Sequence, residues 1–136
     1  MATTGIVNGT AIGVYVGSTK VAHATDGSIS INMATRDATT KDSGGWTDRL
    51  EGVRSWSITC NALFAYDATY GLSDLFSALN NRSTVTVKFS TEVTGDKAYS
   101  GTAYVTSIEA NAGTEENATY SVTFEGTGAL SETTIV

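Results

Sequence analysis

Apolar and polar residues alternate along most of this chain, and the alternation marks out its elements. Ile12, Val14 and Val16 alternate with smaller or polar residues, which predicts a first strand. A turn at Gly17-Ser18 leads to a second candidate strand over residues 20–24. Residues 28–34 place Ile29, Ile31 and Met33 on one face and Ser28, Ser30 and Asn32 on the other. The longest signal runs over residues 54–64, where Trp56, Ile58, Cys60, Ala62 and Phe64 oppose Ser55, Ser57, Thr59 and Asn61. Val85, Val87 and Phe89 mark a further strand, and Thr94-Gly95-Asp96-Lys97 supplies a tight turn. Residues 99–109 read as a strand that is apolar in part on both faces, with Ala103 and Val105 on one side and Tyr104 and Ile108 on the other. After a loop over residues 111–117, Tyr120, Val122 and Phe124 oppose Thr119, Ser121, Thr123 and Glu125. Gly126 and Gly128 then close the pattern and leave a short tail to Val136.

One stretch changes period. Leu72, Leu75, Phe76 and Leu79 stand at i, i+3, i+4 and i+7, which predicts a helix over residues 68–80 with a single apolar stripe. Asp67 is placed to cap its start and Asn80-Asn81 to end it. Half-apolar strands belong to antiparallel sheets with one wet face. The expected fold is therefore all-β with one flanking α-helix, a β-sandwich or open barrel. No internal repeat or linker divides the chain, so residues 1–136 read as one domain.

Periodicity fails between residues 37 and 53. This segment holds Lys41-Asp42-Ser43-Gly44-Gly45-Trp46, then Asp48-Arg49-Leu50-Glu51-Gly52. A connection of that length in a compact domain is usually functional or disordered. Trp46 and Leu50 argue against disorder, because a solvated loop gains nothing by exposing them. Two readings stay open: the loop folds back over its own core, or it docks on another subunit with Trp46 as a buried anchor.

Composition narrows the chemistry. Only 16% of residues are charged and the net charge is −6, so a basic groove gripping phosphates is not expected. One cysteine, Cys60, excludes a disulfide within the chain, and its place on an apolar strand face suits a small core residue better than a nucleophile. The single histidine, His23, has no partner at a metal-ligand or triad spacing. Asp42 with Asp48, and Glu115 with Glu116, share loops without a spacing that enforces a common site, so solvated charge is the simpler account. Gly44-Gly45 lacks the Lys-Ser/Thr ending and following helix of a phosphate loop. The glycosylation-like triplets at Asn8, Asn81 and Asn117 are what chance gives in a chain rich in Asn, Ser and Thr. No apolar run approaches the roughly 20 residues that span a membrane, and the first residues lack the basic and apolar stretches of a signal peptide. An intracellular origin, no cleaved leader, no cofactor and no catalytic residue are the expectations.

The order of these segments resembles the major tail tube protein family of long-tailed bacteriophages. The match is carried by Thr40-Lys41-Asp42-Ser43-Gly44-Gly45-Trp46, then Leu50-Glu51-Gly52 and Ser55-Trp56-Ser57-Ile58. Tyr70-Gly71-Leu72-Ser73-Asp74-Leu75-Phe76 is similar to the family's helix, and residues 103–108 and 118–128 are similar to its closing hairpin. The resemblance covers residues 11–130. It implies a sandwich of the tail tube type, six copies per ring, rings stacked into a hollow tube, and sheets of neighbours joined into one inner barrel through which genomic DNA passes. It implies further tail partners: a tape measure in the lumen, a tail terminator, distal tail or baseplate proteins, and a sheath where one exists. It places the protein in the virion tail, assembled in the host bacterial cytoplasm. With the long loop as inter-subunit arm, the candidate interface residues are Arg36, Lys41, Asp42, Ser43 and Gly44, followed by Gly45, Trp46, Arg49, Leu50 and Glu51. The lumen wall is expected to be neutral or negative, away from Lys20, Lys88, Lys97 and Arg82.

Two rival readings remain. One is the tube of a phage-derived injection particle, which shares the fold and differs in cargo. The other is a carbohydrate-binding β-sandwich that recruits Trp46 with Tyr66 or Tyr70. An enzyme has least support, since no acid, base or nucleophile is organised along the chain.

Overall fold

The computed structural model describes residues 4–21, 24–63 and 71–136. After a single 3₁₀ turn at Gly9–Ala11, the elements are β1 (Gly13–Val16), β2 (Thr19–Lys20), β3 (Ala24–Asp37) and, beyond a loop, β4 (Arg49–Leu63). Then follow α1 (Leu72–Asn80), β5 (Thr84–Ser90), β6 (Lys97–Asn111), β7 (Thr119–Gly126) and β8 (Ser131–Thr134). The strands form one antiparallel sheet in the order β2-β1-β5-β6-β7-β4-β3, with β8 paired to the first residues of β6. The sheet curls on itself: a Cβ added at Gly27 on β3 would meet Val14 Cγ2 on β1 at 3.0 Å. The result is an open barrel, one of the two architectures expected from the alternation.

The core lies inside the curl. Trp56, Ile58, Cys60 and Ala62 of β4 pack with Tyr120, Val122 and Phe124 of β7, Ala103 and Val105 of β6, Val87 of β5 and Val14 of β1. These are the residues that alternation assigned to the inward faces. The helix packs on β6 through buried Leu75 and Ala78, with Leu79 half-buried. Phe76, expected in the stripe, is instead 58% exposed, and Leu72's side chain lies outside the described atoms. Phe76 sits about 100° around the helix from Leu75, at the flank of the packed stripe. The Asp67 cap falls outside the described residues. Gly71 precedes the first turn there, and its amide donates to Asp74 Oδ2 at 3.1 Å.

Two irregularities explain what periodicity misread. Between Val105 and Ser107 the β6–β7 register slips by one residue, a bulge at Thr106. Before it Val105 pairs with Phe124, and after it Ile108 pairs with Val122 on the same inner side. The strand that looked apolar on both faces therefore has one apolar face and a bulge. The second irregularity lies between β3 and β4, where Met33 pairs with Arg54 but Thr35 pairs with Glu51, leaving an extra residue on β4.

That second bulge corrects the long loop. Residues 36–37 and 49–53 are strand, paired Arg36 with Leu50 and Asp37 with Arg49, and only residues 38–48 connect. The bulge changes the inward parity, and neither face of this stretch lies on a core, so nothing in its sequence maintains a period of two. The short tail after Gly128 is also structured, since β8 adds to β6. Its four residues are all exposed, so no apolar pattern announced it. Of the second candidate strand, only Thr19–Lys20 is strand; residues 22–23, including His23, lie outside the described set, as do Phe64, Tyr66 and Tyr70.

Candidate assembly surface

The hairpin formed by β3 and β4 outruns the rest of the sheet. β7 pairs with β4 only from Ser57 to Leu63. Residues 49–56 therefore have β3 as their ladder partner, and the pair continues as a two-stranded ribbon of about 26 Å at 3.3 Å per residue. Such ribbons are marginal when isolated.

Trp56 holds the base of this ribbon. Its side chain is 5% exposed, and Nε1 donates to the Gly128 carbonyl at 3.3 Å. Its ring covers two glycines. A Cβ at Gly126, where β7 ends, would overlap the ring outright, and one at Gly101 on β6 would meet Cζ2 at 2.6 Å. A large residue on β4 opposite two residues without side chains locks the hairpin to the sheet where the third strand gives out.

The tip is held by its own polar side chains. Ser43 Oγ donates to Asp48 Oδ2 at 2.6 Å and accepts from the Thr40 amide at 3.0 Å. Thr40 Oγ1 accepts from the Asp42 amide, and Thr39 Oγ1 from the Asp48 amide at 2.9 Å. Thr39 hydrogen bonds to Asp37 hold that carboxyl below its ordinary value. Gly44 and Gly45 both take positive φ, 68° and 84°, a region that costs other residues energy. The motif thus encodes a turn, with the Trp46 amide bonded to the Ser43 carbonyl at 3.2 Å. Asp42 and Asp48 do not share a site, because Asp48 is spent on Ser43.

The turn presents Trp46 outward. Trp46 is 78% exposed, so the loop does not fold back over its own core. Lys41, Asp42, Gly44 and Gly45 are exposed beside it, Ser43 is half-buried, and Arg36, Arg49, Leu50 and Glu51 lie on the ribbon below. Arg36 Nη2 reaches the Glu51 carbonyl at 3.4 Å. The ribbon also exposes Ile31, Met33 and Val53, the last by 80%. Sequence reasoning missed these as surface residues. Ile31 and Met33 continue the alternation of Ile29, and nothing local says that the core ends beneath them.

A second surface is polar. In the block β3-β4-β7-β6, the outward face aligns Ser28, Ser30 and Asn32 with Thr59, Ser57 and Ser55. Thr59 and Ser57 align in turn with Thr123 and Glu125, and Thr123 with Ser107. Asp26 and Glu109 stand at the same level as Asn61 and Ser121. Over this block, residues 26–32, 55–61, 119–125 and 104–111, the sequence supplies three carboxylates on the outward face and no Lys or Arg. Lys20 and Lys88 lie on β2 and β5, Lys97 begins β6, and Arg82 follows α1.

Among the described residues no cluster of three His, Cys, Asp or Glu could hold a metal. Cys60 is fully buried, and burial, with Asp26 adding to it, pushes its thiol up to about 11. No described helix is long and apolar enough to cross a membrane.

A projecting arm and a hydroxyl-rich sheet face are the chain's two distinctive surfaces, and comparison with known proteins gives them a context. The phage tail tube protein family model matches residues 7–132. The chain belongs to that family. No curated protein sequence matches it. Among solved structures, a chain from the virion of a native gene transfer agent particle is similar at 25% identity and a TM-score of 0.81, over 94% of this chain and 99% of that one. The SPP1 tail tube shares the fold at 13% identity and TM-score 0.75, over 95% of this chain and 80% of that one. So does a chain from the sheath/tube terminator of an extracellular contractile injection system, at 17% identity and TM-score 0.69, over 97% and 99% of the two chains. This tail tube protein is a structural component of a virion tail.

Proposed function

We propose that this chain, acting as one unit over residues 1–136, polymerises as stacked rings of six copies into a hollow tail tube through which phage genomic DNA passes into the host. The observation that carries the reading is the β3–β4 arm, a two-stranded ribbon that stands beyond its sheet with Trp46 78% exposed at its tip. A ribbon of that kind gains its stability from a neighbour. The arm residues from Arg36 to Glu51 are the inter-subunit contact, and Trp46 is its anchor. Six copies per ring are supported by likeness to the tail of an empty gene transfer agent particle refined with C6 symmetry, 24% identical with a TM-score of 0.79 over 94% of this chain and 99% of that one.

The polar face of the β3-β4-β7-β6 block lines the lumen. Its hydroxyl, amide and carboxylate groups hold water and repel phosphate, so DNA slides without being gripped. The tape measure protein occupies the same lumen before ejection. A tail terminator, distal tail or baseplate proteins and, in a contractile particle, a sheath meet the tube on its ends and outside. No cofactor, catalysis or membrane enters this role, and assembly takes place in the host cytoplasm.

A second reading keeps the assembly and changes the particle. Likeness to a gene transfer agent virion favours a phage-derived particle as the alternative home. The nucleic acid recovered from purified particles separates the two. Negative-stain microscopy of purified protein tests the shared claim. Tubes or stacked rings are expected from the wild type, and a monodisperse monomer that binds glycans on an array would overturn it in favour of the carbohydrate-binding sandwich. Trp46→Ala is expected to give a folded protein that polymerises poorly. Normal tubes at normal concentration would remove the anchor role.

A further inference from the structure

We infer that Trp46, at the tip of one copy's arm, docks in a groove at the base of the arm of a second copy, between β4 and the segment that joins β7 to β8. The contact rests on the assembly proposed above and identifies the surface that receives its anchor.

The groove exists because β7 and β8 run along one edge of β6 with an excursion between them. Gly126 of β7 pairs with Ala103, and Ser131 of β8 pairs with Ser100. Residues 127–130 therefore stand opposite residues 101–102 alone. The surplus is held out from the sheet. The Thr127 amide donates to the Thr102 carbonyl at 2.8 Å, Gly128 takes a φ of 87°, and its carbonyl accepts from Trp56 Nε1. Facing this excursion are residues 52–56 of β4, on the stretch that β7 no longer covers. Between the two lies a groove of about 530 Å³. Ile31 and Val53 line it, 58% and 80% exposed, together with Ala129 and Leu130, and buried Trp56 forms its base.

Shape and charge select the occupant. The single charged residue lining the groove is Arg54, which is exposed and makes no ion pair among the described residues. The tip, residues 37–48, carries Asp37, Asp42 and Asp48 against Lys41, and its one large apolar side chain is Trp46. An indole buries roughly 150–250 Å² and attracts a guanidinium to its face, so one side chain answers both the apolar walls and Arg54. Two further cavities, of about 490 and 350 Å³, each carry one Lys and one Asp and offer an acidic tip no net attraction. Trp46 cannot enter the groove of its own chain, because residues 49–54 between them belong to β4 and span about 20 Å at 3.3 Å per residue. The contact is therefore head-to-tail. A copy that docks its tip leaves its own groove open for another, and such contacts propagate.

Two measurements on the full chain test the contact, with buried Cys60 left in place. Thr47→Cys and Ala129→Cys proteins are mixed, assembled and oxidised. A covalent dimer holding one copy of each is expected on a non-reducing gel, absent from either variant alone and before assembly. Tubes that yield no such dimer, or yield one from Thr47→Cys alone, would overturn the docking. The second measurement is a double-mutant cycle. Trp46→Ala and Val53→Asp are each expected to raise the critical concentration for polymerisation about tenfold or more, and the double variant no further than the worse single. Both are expected to keep the wild-type urea midpoint, since both side chains are exposed. Factors that multiply in the double variant would overturn the docking. So would Val53→Asp tubes at the wild-type concentration beside an impaired Trp46→Ala, which leaves Trp46 an anchor on some other surface. Arg54→Gln is expected to raise the critical concentration a few fold at low salt and less at high salt; no rise at low salt would count against the groove. Wild-type protein that never assembles removes the assembly reading and this contact with it.

Discussion

The two tryptophans of the chain lie ten residues apart on the same hairpin and have opposite surroundings. Trp56 is 5% exposed, lies over Gly101 and Gly126, and is bonded to the Gly128 carbonyl. Trp46 is 78% exposed on a turn braced by Ser43, Thr39 and Thr40. One residue completes the folded subunit; the other is the proposed anchor for a second subunit. The difference teaches where folding ends and assembly begins on this hairpin, at the position where β7 ceases to pair with β4.

The largest expected effect sits at the base. Trp56→Ala should lower the unfolding free energy by about 3–5 kcal/mol, read by urea titration, because it empties a packed site over two glycines. A loss below about 1 kcal/mol would mean that the base is not the clamp described. The Cys60 core beside it gives a pH signature. The folded thiol ionises at about 11 against an ordinary 9.0, so the native state keeps a proton that the unfolded chain releases. The contribution of this thiol to stability is fully present below pH 9.0 and is expected to be lost as pH rises towards about 11, by roughly 2–3 kcal/mol. Thermal melts across that window check it, and Cys60→Ala should flatten the slope.

The tip should respond in assembly rather than in folding. Trp46→Ala is expected to leave the monomer's unfolding free energy within about 0.5 kcal/mol, as for a surface residue. Its critical concentration for polymerisation should rise about thirtyfold, equivalent to about 2 kcal/mol per contact. If urea titration instead showed a loss comparable to that of Trp56→Ala, the contrast between the two residues would collapse. Gly126→Ala should cost about 1–3 kcal/mol, since the new methyl overlaps the Trp56 ring. Gly44→Ala should cost about 1 kcal/mol or less through its positive φ, and show mainly as weaker tube formation in sedimentation.

Much of the body was legible because burial imposes a period. Ile58, Cys60 and Ala62, or Tyr120, Val122 and Phe124, alternate because each second side chain faces the core. The arm was legible as a motif rather than as a shape. Thr39, Thr40, Ser43, Gly44 and Gly45 spell a turn, but the paired strands around it were read as part of one long loop. A bulge and two solvated faces had removed their alternation. Strand β8 was missed for a related reason: Ser131–Thr134 bury nothing, and their place beside β6 is set by backbone pairing and polar side-chain contacts such as Lys97 Nζ to Thr134 Oγ1. Phe76 fits a helical stripe by spacing, yet only the position of α1 on β6 decides which flank of the stripe is covered.

The sequence by itself determined the half-wet strands, the helix and the segment order of the phage tail tube protein family. Local chemistry suffices for these, since period, turn residues and composition act over a few neighbours. Tertiary structure alone decided that the arm is a ribbon, that Trp46 faces out while Trp56 faces in, and that, among the described residues, β3 and the end of β6 each keep one ladder partner. Those properties depend on which strands lie beside which and where each pairing stops, and backbone pairing leaves little mark on side-chain identity.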